Sequence, residues 1–298
     1  MWNGIVNVYK EAGYTSHDVV AKLRGIFGQK KIGHTGTLDP EATGVLPVCL
    51  GKATKVCDLL TDKDKTYRCV MRLGITTDTQ DMTGSILKER PVNVSEAVLR
   101  ETILSFQGAY DQIPPMYSAL KVNGKKLYEL ARAGREVERQ PRRVYIEEIR
   151  ILEAVYPEIT MEVTCSKGTY IRTLCHDIGE RLGCGACMKQ LTRTRVADFQ
   201  IADSLTLELI SEIVHSGGTE DILIPVDALF QRYPGISVTE DYQKAIENGN
   251  RIPLHGLKEW QAGWQEEPVR LYDCQGRFAG IYRYQKAEED LKPVKMFL

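Results

Sequence analysis

Hydrophobic positions recur along the chain with two periods, and these predict its elements. Ile5-Val6-Asn7-Val8-Tyr9 reads as a strand. From Ser16 onward, Val19, Val20, Leu23, Ile26 and Phe27 fall on one face at helical spacing; Ser16 reads as the N-cap and Gly28 as the stop. Period two returns over Lys65–Leu73, with Tyr67, Cys69, Met71 and Leu73 on one face. Val94-Ser95 opens a helix carrying Val98, Leu99, Thr102, Ile103 and Phe106 on its apolar side. Asn123-Gly124 after Ser118–Val122 is a hairpin turn signal. Ile159, Met161, Val163 and Cys165 alternate as a strand, Gly168-Thr169 breaks it, and Ile171, Leu174, Ile178 and Leu182 fit a helix closed by Gly183. No regular strand–helix–strand period emerges, which disfavours a doubly wound parallel sheet. The expected class is α/β of the α+β kind, a mixed and mainly antiparallel sheet with helices on it.

The pattern shortens after Asp227–Pro234. A short helix over Glu240–Glu247 stops at Asn248-Gly249, and Val269–Asp273 with Arg277–Arg283 reads as a hairpin. This divides the chain into residues 1–232 and a small β-rich module over 233–298. The longest apolar runs, such as Ile222–Ile224, are too short to cross a bilayer, so no membrane association is expected. The N-terminus lacks the basic and apolar regions of a secretory signal.

The 39 Lys and Arg balance 40 Asp and Glu, a net charge of −1, which excludes a nucleic-acid binder held by bulk charge. The balance is uneven, however. Residues 121–143 carry eight basic and three acidic side chains, with Tyr117 and Tyr128 beside them, as an RNA-contacting arm would. Eight cysteines in 298 residues are too sparse for a disulfide scaffold, and Cys49, Cys57, Cys69, Cys165 and Cys175 read as buried reduced thiols of a cytoplasmic protein. Cys184-Gly185-Ala186-Cys187 lacks co-ligands at zinc spacing, so no metal is expected.

Candidate chemistry is densest in Lys31–Pro47, a tightly turned run of glycine, threonine and proline holding His34 and Asp39. Taken alone, Asp39-Pro40 is equally a turn signal and His34 equally an exposed loop residue. The run contains no Walker-type phosphate cradle.

Its Gly-His-Thr-Gly-Thr-Leu-Asp-Pro-x-Ala-Thr-Gly stretch resembles the catalytic motif of the TruB family, the tRNA pseudouridine-55 synthases. Further matches follow in order: Asp64-Lys65-Thr66-Tyr67, Arg72–Thr79, Gln112–Lys121, Cys165–Leu174, Gly183–Ala186 and Leu191–Arg195. Together they span about residues 3–230. The last 65 residues resemble, more loosely, a PUA module. One departure is Lys10-Glu11-Ala12-Gly13, where the family usually has Lys-Pro-x-Gly.

The resemblance implies a pseudouridine synthase fold with an RNA-gripping insertion at about 112–146. It implies isomerisation of uridine-55 in the tRNA T-stem-loop by a monomer that needs no protein partner, and no metal, redox cofactor or ATP. Asp39 would be the nucleophile, Arg172 its ionic partner, and Tyr67 the residue that stacks on the base and takes the C5 proton. His34, Tyr170, Leu191, Lys10 and Lys65 would contact substrate. A guide-RNA-dependent synthase and an RNA-binding module without catalysis are the rival readings. The bacterial-style spacing over Asp39–Thr43 argues against the first, and joint retention of Asp39, Tyr67 and Arg172 argues against the second.

Overall fold

A computed structural model of the chain describes residues 1–122 and 124–298. In chain order its first elements are β1 (Gly4–Lys10), α1 (Ser16–Ile26), β2 (Ile32–His34), β3 (Thr43–Leu50), α2 (Cys57–Thr61), β4 (Lys65–Leu73), β5 (Ile75–Thr77), β6 (Ile86–Glu89) and α3 (Glu96–Leu104). Then come β7 (Gly108–Gln112), β8 (Lys121–Val122), β9 (Lys125–Lys126), α4 (Leu127–Arg132), β10 (Arg142–Val155), β11 (Glu158–Cys165), α5 (Ile171–Arg181), β12 (Ala186–Val196), β13 (Phe199–Gln200) and α6 (Leu207–His215).

Nine of these strands form one sheet, in the order β1-β3-β12-β4-β11-β10-β7, with β2 paired to β3 and β13 to β12. Every pairing is antiparallel except β3 with β12, which run parallel over Thr43↔Thr192 and Gly44↔Arg193. The expected mixed, mainly antiparallel sheet is therefore present. Gly44 makes the parallel junction possible: its φ is +103°, and a Cβ there would lie 2.2 Å from the Arg193 carbonyl oxygen.

Both faces of β1 and β3 are covered. Val6, Val8, Leu46, Val48 and Leu50 pack on one face against Val19, Val20 and Leu23 of α1 and Leu207 and Ile210 of α6. Such side chains contribute about 1.5–3 kcal/mol each when fully buried. On the middle of the sheet, Tyr67, Cys69, Met71 and Leu73 of β4 share one buried cluster with Leu99 and Ile103 of α3 and Leu174 and Ile178 of α5.

Two local expectations are corrected. Thr15, not Ser16, is the N-cap of α1: its hydroxyl accepts from Asp18 N while Asp18 bonds back to Thr15 N. Val98 is half exposed, because Leu99, Ile103 and Phe106 already fill the space between α3 and the sheet. In the basic segment β8 and β9 pair antiparallel, with Gly124 at φ +80°; Asn123, the other half of the expected turn, lies outside the described residues.

The rest of the chain adds β14 (Gly235–Ser237), α7 (Gln243–Glu247), β15 (Ile252–Pro253), β16 (Val269–Tyr272), β17 (Phe278–Gln285) and β18 (Asp290–Met296), the five strands forming a second sheet in the order β14-β16-β17-β18-β15. That sheet has its own core around Val238, Ile246, Leu271 and Leu291. It also shares a cluster with the first sheet. Ile281 and Phe297 pack with Ile5, Val45 and Cys49, the alternate face of β1 and β3.

Candidate active site

Asp39 lies in the loop between β2 and β3, and this loop is fixed from several directions. Ser16, at the start of α1, accepts a bond from Leu38 N at 2.9 Å. Thr35 is buried and bonds Pro47 O through both its amide and its hydroxyl. Lys10 has no exposed surface, and its ammonium donates to the carbonyls of Glu11, Pro40 and Ala42 at 3.0, 2.9 and 2.6 Å. Arg193, 1% exposed, donates to Val45 O and Gly36 O at the two ends of the loop. Glu11, the departure from the family pattern, leaves the turn closed: Gly13 N still reaches Pro40 O.

Within this frame the Asp39 side chain is 40% exposed and faces Arg172, whose side chain is 6% exposed. Arg172 Nε and Nη2 reach the two carboxylate oxygens at 3.1 and 3.3 Å, a two-pronged contact that lysine cannot make. The other N–H groups of Arg172 go to Thr79 O, Asp81 Oδ2 and Tyr117 O. The four Nη protons are thus hydrogen-bonded, and Nε lies against Asp39 Oδ2 as an ion-pair contact. Burial pushes the Asp39 carboxyl above its ordinary pKa, and the Arg172 charge pulls it back. The result is an ionisable carboxylate with a fixed orientation and one side open.

Tyr67 lies on β4 between Val163 of β11 and Arg193 of β12 and is 8% exposed. Burial raises its phenol pKa, with the Arg193 guanidinium the largest opposing influence. His34 is partly buried at the end of β2, where its Nδ1 accepts from Gly36 N and its ring meets that of His17 edge to face at 5.3 Å. Burial lowers its pKa, which favours the neutral ring. Tyr170 caps the start of α5, and Gln112 of β7 holds it by both backbone groups, accepting from Tyr170 N at 2.7 Å and donating to Tyr170 O at 3.0 Å. Leu191 is buried in the cluster that contains Tyr67.

The two lysines differ from expectation. Lys10 spends its three protons on backbone carbonyls. Lys65, 6% exposed, donates to the carbonyls of Thr61 and Lys63. Burial lowers the pKa of each to about 8. Lys10 thus ties the loop to β1, and Lys65 ties the turn after α2 to β4. Cys57 is only partly buried, unlike the other four cysteines expected inside. Among the described residues no three His, Cys, Asp or Glu side chains are grouped for a metal, and Cys184 and Cys187 are each buried.

Sequence reasoning missed Asp81, Gln112 and Arg193. Asp81 is the second carboxylate on Arg172, and its Oδ1 accepts from the hydroxyls of Thr79 and Thr83 and from Thr83 N. The spacing Thr79-x-Asp81-x-Thr83 is a readable sign of a carboxylate held by its own turn. Gln112 and Arg193 leave no such local sign, because their partners are distant in sequence.

Comparison with known proteins decides the family. The N-terminal domain of the TruB family pseudouridylate synthases matches residues 24–171, and the C-terminal domain of tRNA pseudouridylate synthase B matches 172–231. The tRNA pseudouridine synthase B of Lachnoclostridium phytofermentans is 52% identical over 307 residues, covering 99% of this chain and 100% of the relative. The chain belongs to the TruB family. The enzyme of the same description from Clostridium kluyveri is 49% identical over 299 residues, again across 99% of this chain and 100% of the relative. A solved structure described as a Cbf5-Nop10-Gar1 complex contains a similar chain, with a TM-score of 0.72, 26% identity, and coverage of 99% of this chain and 85% of that one. TruB family membership makes the chain a pseudouridine synthase, an isomerase with the pseudouridine synthase fold. The TruB family matches end at residue 231, before the second sheet begins.

Proposed function

We propose that this TruB family isomerase converts uridine-55 of the tRNA T loop to pseudouridine, with Asp39 as the nucleophile. The observation that carries the reading is a half-open carboxylate whose two oxygens face a buried arginine, one hydrogen-bonded to Nη2 and the other 3.1 Å from Nε, with the remaining Nη protons engaged elsewhere. The names of the relatives, tRNA pseudouridine synthase B, support tRNA as substrate.

The reaction breaks the N1–C1′ bond, turns the base and joins C5 to C1′. It balances without a redox cofactor, metal or ATP. Attack of Asp39 at C1′, attack at C6 and removal of the 2′ proton all require the ionised carboxylate, which Arg172 favours. Tyr67 is positioned to take the C5 proton, with Tyr170 and Leu191 as walls beside the base. Extruding the uridine costs a few kcal/mol. Stacking on His34 would return about 1–3 kcal/mol of that. Lys10 serves by holding the loop, and Lys65 by closing the turn between α2 and β4.

In this reading residues 1–232 carry the chemistry and the arm at 112–146 grips phosphates. Residues 233–298 act as a PUA-like module that adds affinity for RNA. The enzyme works as a monomer in the cytoplasm without guide RNA or protein partner.

The test is a single-turnover assay of a T-stem-loop transcript with protein alone. Wild type should form pseudouridine, and Asp39→Asn should bind the transcript but react at background rate. A near-wild-type rate for Asp39→Asn would end the assignment, and a wild-type protein active only with added guide RNA would replace it with the guide-dependent alternative.

A further inference from the structure

Arg193 is the largest fully buried side chain among the described residues, and among them its charge has no carboxylate partner. None of the ion pairs among the described residues includes it, and the only group opposing the loss of its charge is Tyr67. Its bonds to Val45 O at 2.8 Å and Gly36 O at 3.3 Å hold the ends of the catalytic loop, but neutral donors would serve two carbonyls equally well. Burying an uncompensated guanidinium is expensive, so the charge itself needs a reason.

The register between β12 and β4 supplies one. Arg193 stands directly opposite Tyr67, on the same face of the sheet, with its guanidinium beside the phenol oxygen. The other ionisable groups near that oxygen are Cys165 from β11 and Asp39 from the loop, neither of them cationic. Around Arg193 itself stand Lys65 of β4, Lys10 of β1 and His34 of β2. Of these groups and Arg193, Arg193 is the one whose charge reaches the Tyr67 oxygen.

We propose that Arg193 is a positioning residue for Tyr67, its charge stabilising the phenolate that accepts the C5 proton. This rests on Tyr67 being that acceptor. Once C5 is joined to C1′, C5 still bears its hydrogen. The C5–H bond then breaks and its electron pair forms the C5–C6 double bond. The N1–C6 double-bond pair moves to N1, which receives the phenol proton that Tyr67 gives up on becoming phenolate, while the C5 proton passes to Tyr67 Oη and restores the phenol. The ring neither gains nor loses a proton overall. An anionic oxygen is needed at one moment, and Arg193 is the cation beside it.

The test uses the full-length enzyme and T-stem-loop RNA carrying either uridine or 5-deuterouridine at the target position, under single turnover. Arg193→Gln keeps an amide donor for a loop carbonyl but removes the charge; Arg193→Lys keeps a charge and loses the forked bonds. Arg193→Gln should slow the chemical step by about 100-fold and bring out a primary isotope effect at C5, whereas Arg193→Lys should cost about 10-fold or less. In a Tyr67→Phe background neither change should cost more than about 3-fold further.

Equal losses in the wild-type and Tyr67→Phe backgrounds, or a slow Arg193→Gln enzyme without an isotope effect, would reduce Arg193 to an anchor of the loop. If Tyr67→Phe itself leaves the rate on the deuterated RNA unchanged, the assignment of Tyr67 falls first and this proposal with it. Thermal melts and RNA affinity establish that each variant is folded. Should Arg193→Gln not fold, Arg193→Lys decides alone, since its displaced charge must slow the enzyme that has Tyr67 and not the Tyr67→Phe enzyme.

Discussion

Positive charge is used in opposite ways in two regions of this molecule. Beneath the catalytic loop, Lys10, Lys65 and Arg193 are each at most 6% exposed and each is spent on backbone carbonyls. In the arm, six of the eight basic side chains (Lys121, Lys125, Arg132, Arg135, Arg142 and Arg143) are exposed. Among the described residues only Arg139 and Arg143 of these eight have acidic partners, Glu136 and Asp111. Lys126 and Arg132 instead lie over the Tyr128 ring, at 5.3 and 5.5 Å. Buried cations fix geometry and field at one carboxylate, and they are weakly screened. Exposed cations offer a surface for phosphates whose strength depends on salt. Under the proposed function, the first set is expected to govern rate and the second affinity.

Four experiments bear on that division. The largest effect is expected at Asp81, which neutralises Arg172 from the side away from Asp39. Asp81→Ala should lower the single-turnover rate by about 100–1000-fold with RNA affinity little changed, since Asp81 bears on the reacting carboxylate only through Arg172. A matching loss of affinity would blur the contrast. Next is Lys10→Met, which leaves three carbonyls without their donor. Denaturant unfolding should show a loss of about 2–4 kcal/mol together with reduced turnover. An unchanged unfolding midpoint would mean that the loop holds itself.

Third is the arm. Replacing Lys125, Lys126, Arg132 and Arg142 by Ala should weaken RNA binding and flatten the slope of log affinity against log salt by about 0.7–0.9 for each phosphate no longer neutralised, with the melting temperature unmoved. An unchanged slope would make the arm a merely solvated face. The smallest effect concerns the stability cost of Asp39. Its folded pKa lies above 3.8, so its contribution to stability is complete below that pH and is lost as pH rises through the raised value. Asp39→Asn removes this cost at pH 7, and Arg172 keeps Asp81 and two carbonyls as partners. The variant should melt at or slightly above the wild-type temperature at pH 7, and the difference should close toward pH 4. A clearly lower melting temperature at pH 7 would mean that the Asp39–Arg172 pair stabilises the fold as well as the chemistry.

Much of this arrangement is legible in the sequence. The alternation over Lys65–Leu73 places Tyr67 on the inward face, where it is found. The helical spacing from Val19 to Phe27 puts Val19, Val20, Leu23 and Phe27 inside. Asp39 and Arg172, 133 residues apart, meet as the resemblance implies. What the sequence conceals is of one physical kind. Periodicity reports how an element is buried, and a motif reports which side chains react. Neither reports which distant donor satisfies a loop carbonyl. Hence Ser16 looks like a cap although its oxygen serves Leu38 N, and Lys10 and Lys65 look like ligands of substrate although they are ligands of the backbone. Val98 misleads for a simpler reason: the apolar stripe of α3 is wider than the surface available to cover it.

The parallel junction between β3 and β12 has a mechanical consequence. It joins the β1-β2-β3 portion of the sheet to all the remaining strands through two residue pairs, Thr43↔Thr192 and Gly44↔Arg193, reinforced by a hydrogen bond between the Thr43 and Thr192 hydroxyls at 2.9 Å and by Arg193 Nε donating to Val45 O at 2.8 Å. Every other neighbour in the main path of the sheet is held by five or more pairs. A load pulling the two portions apart would concentrate at this short seam, as a crack concentrates at the narrowest section of a plate. The catalytic loop runs into β3 at that section, so Asp39 sits where the sheet is least able to resist being spread.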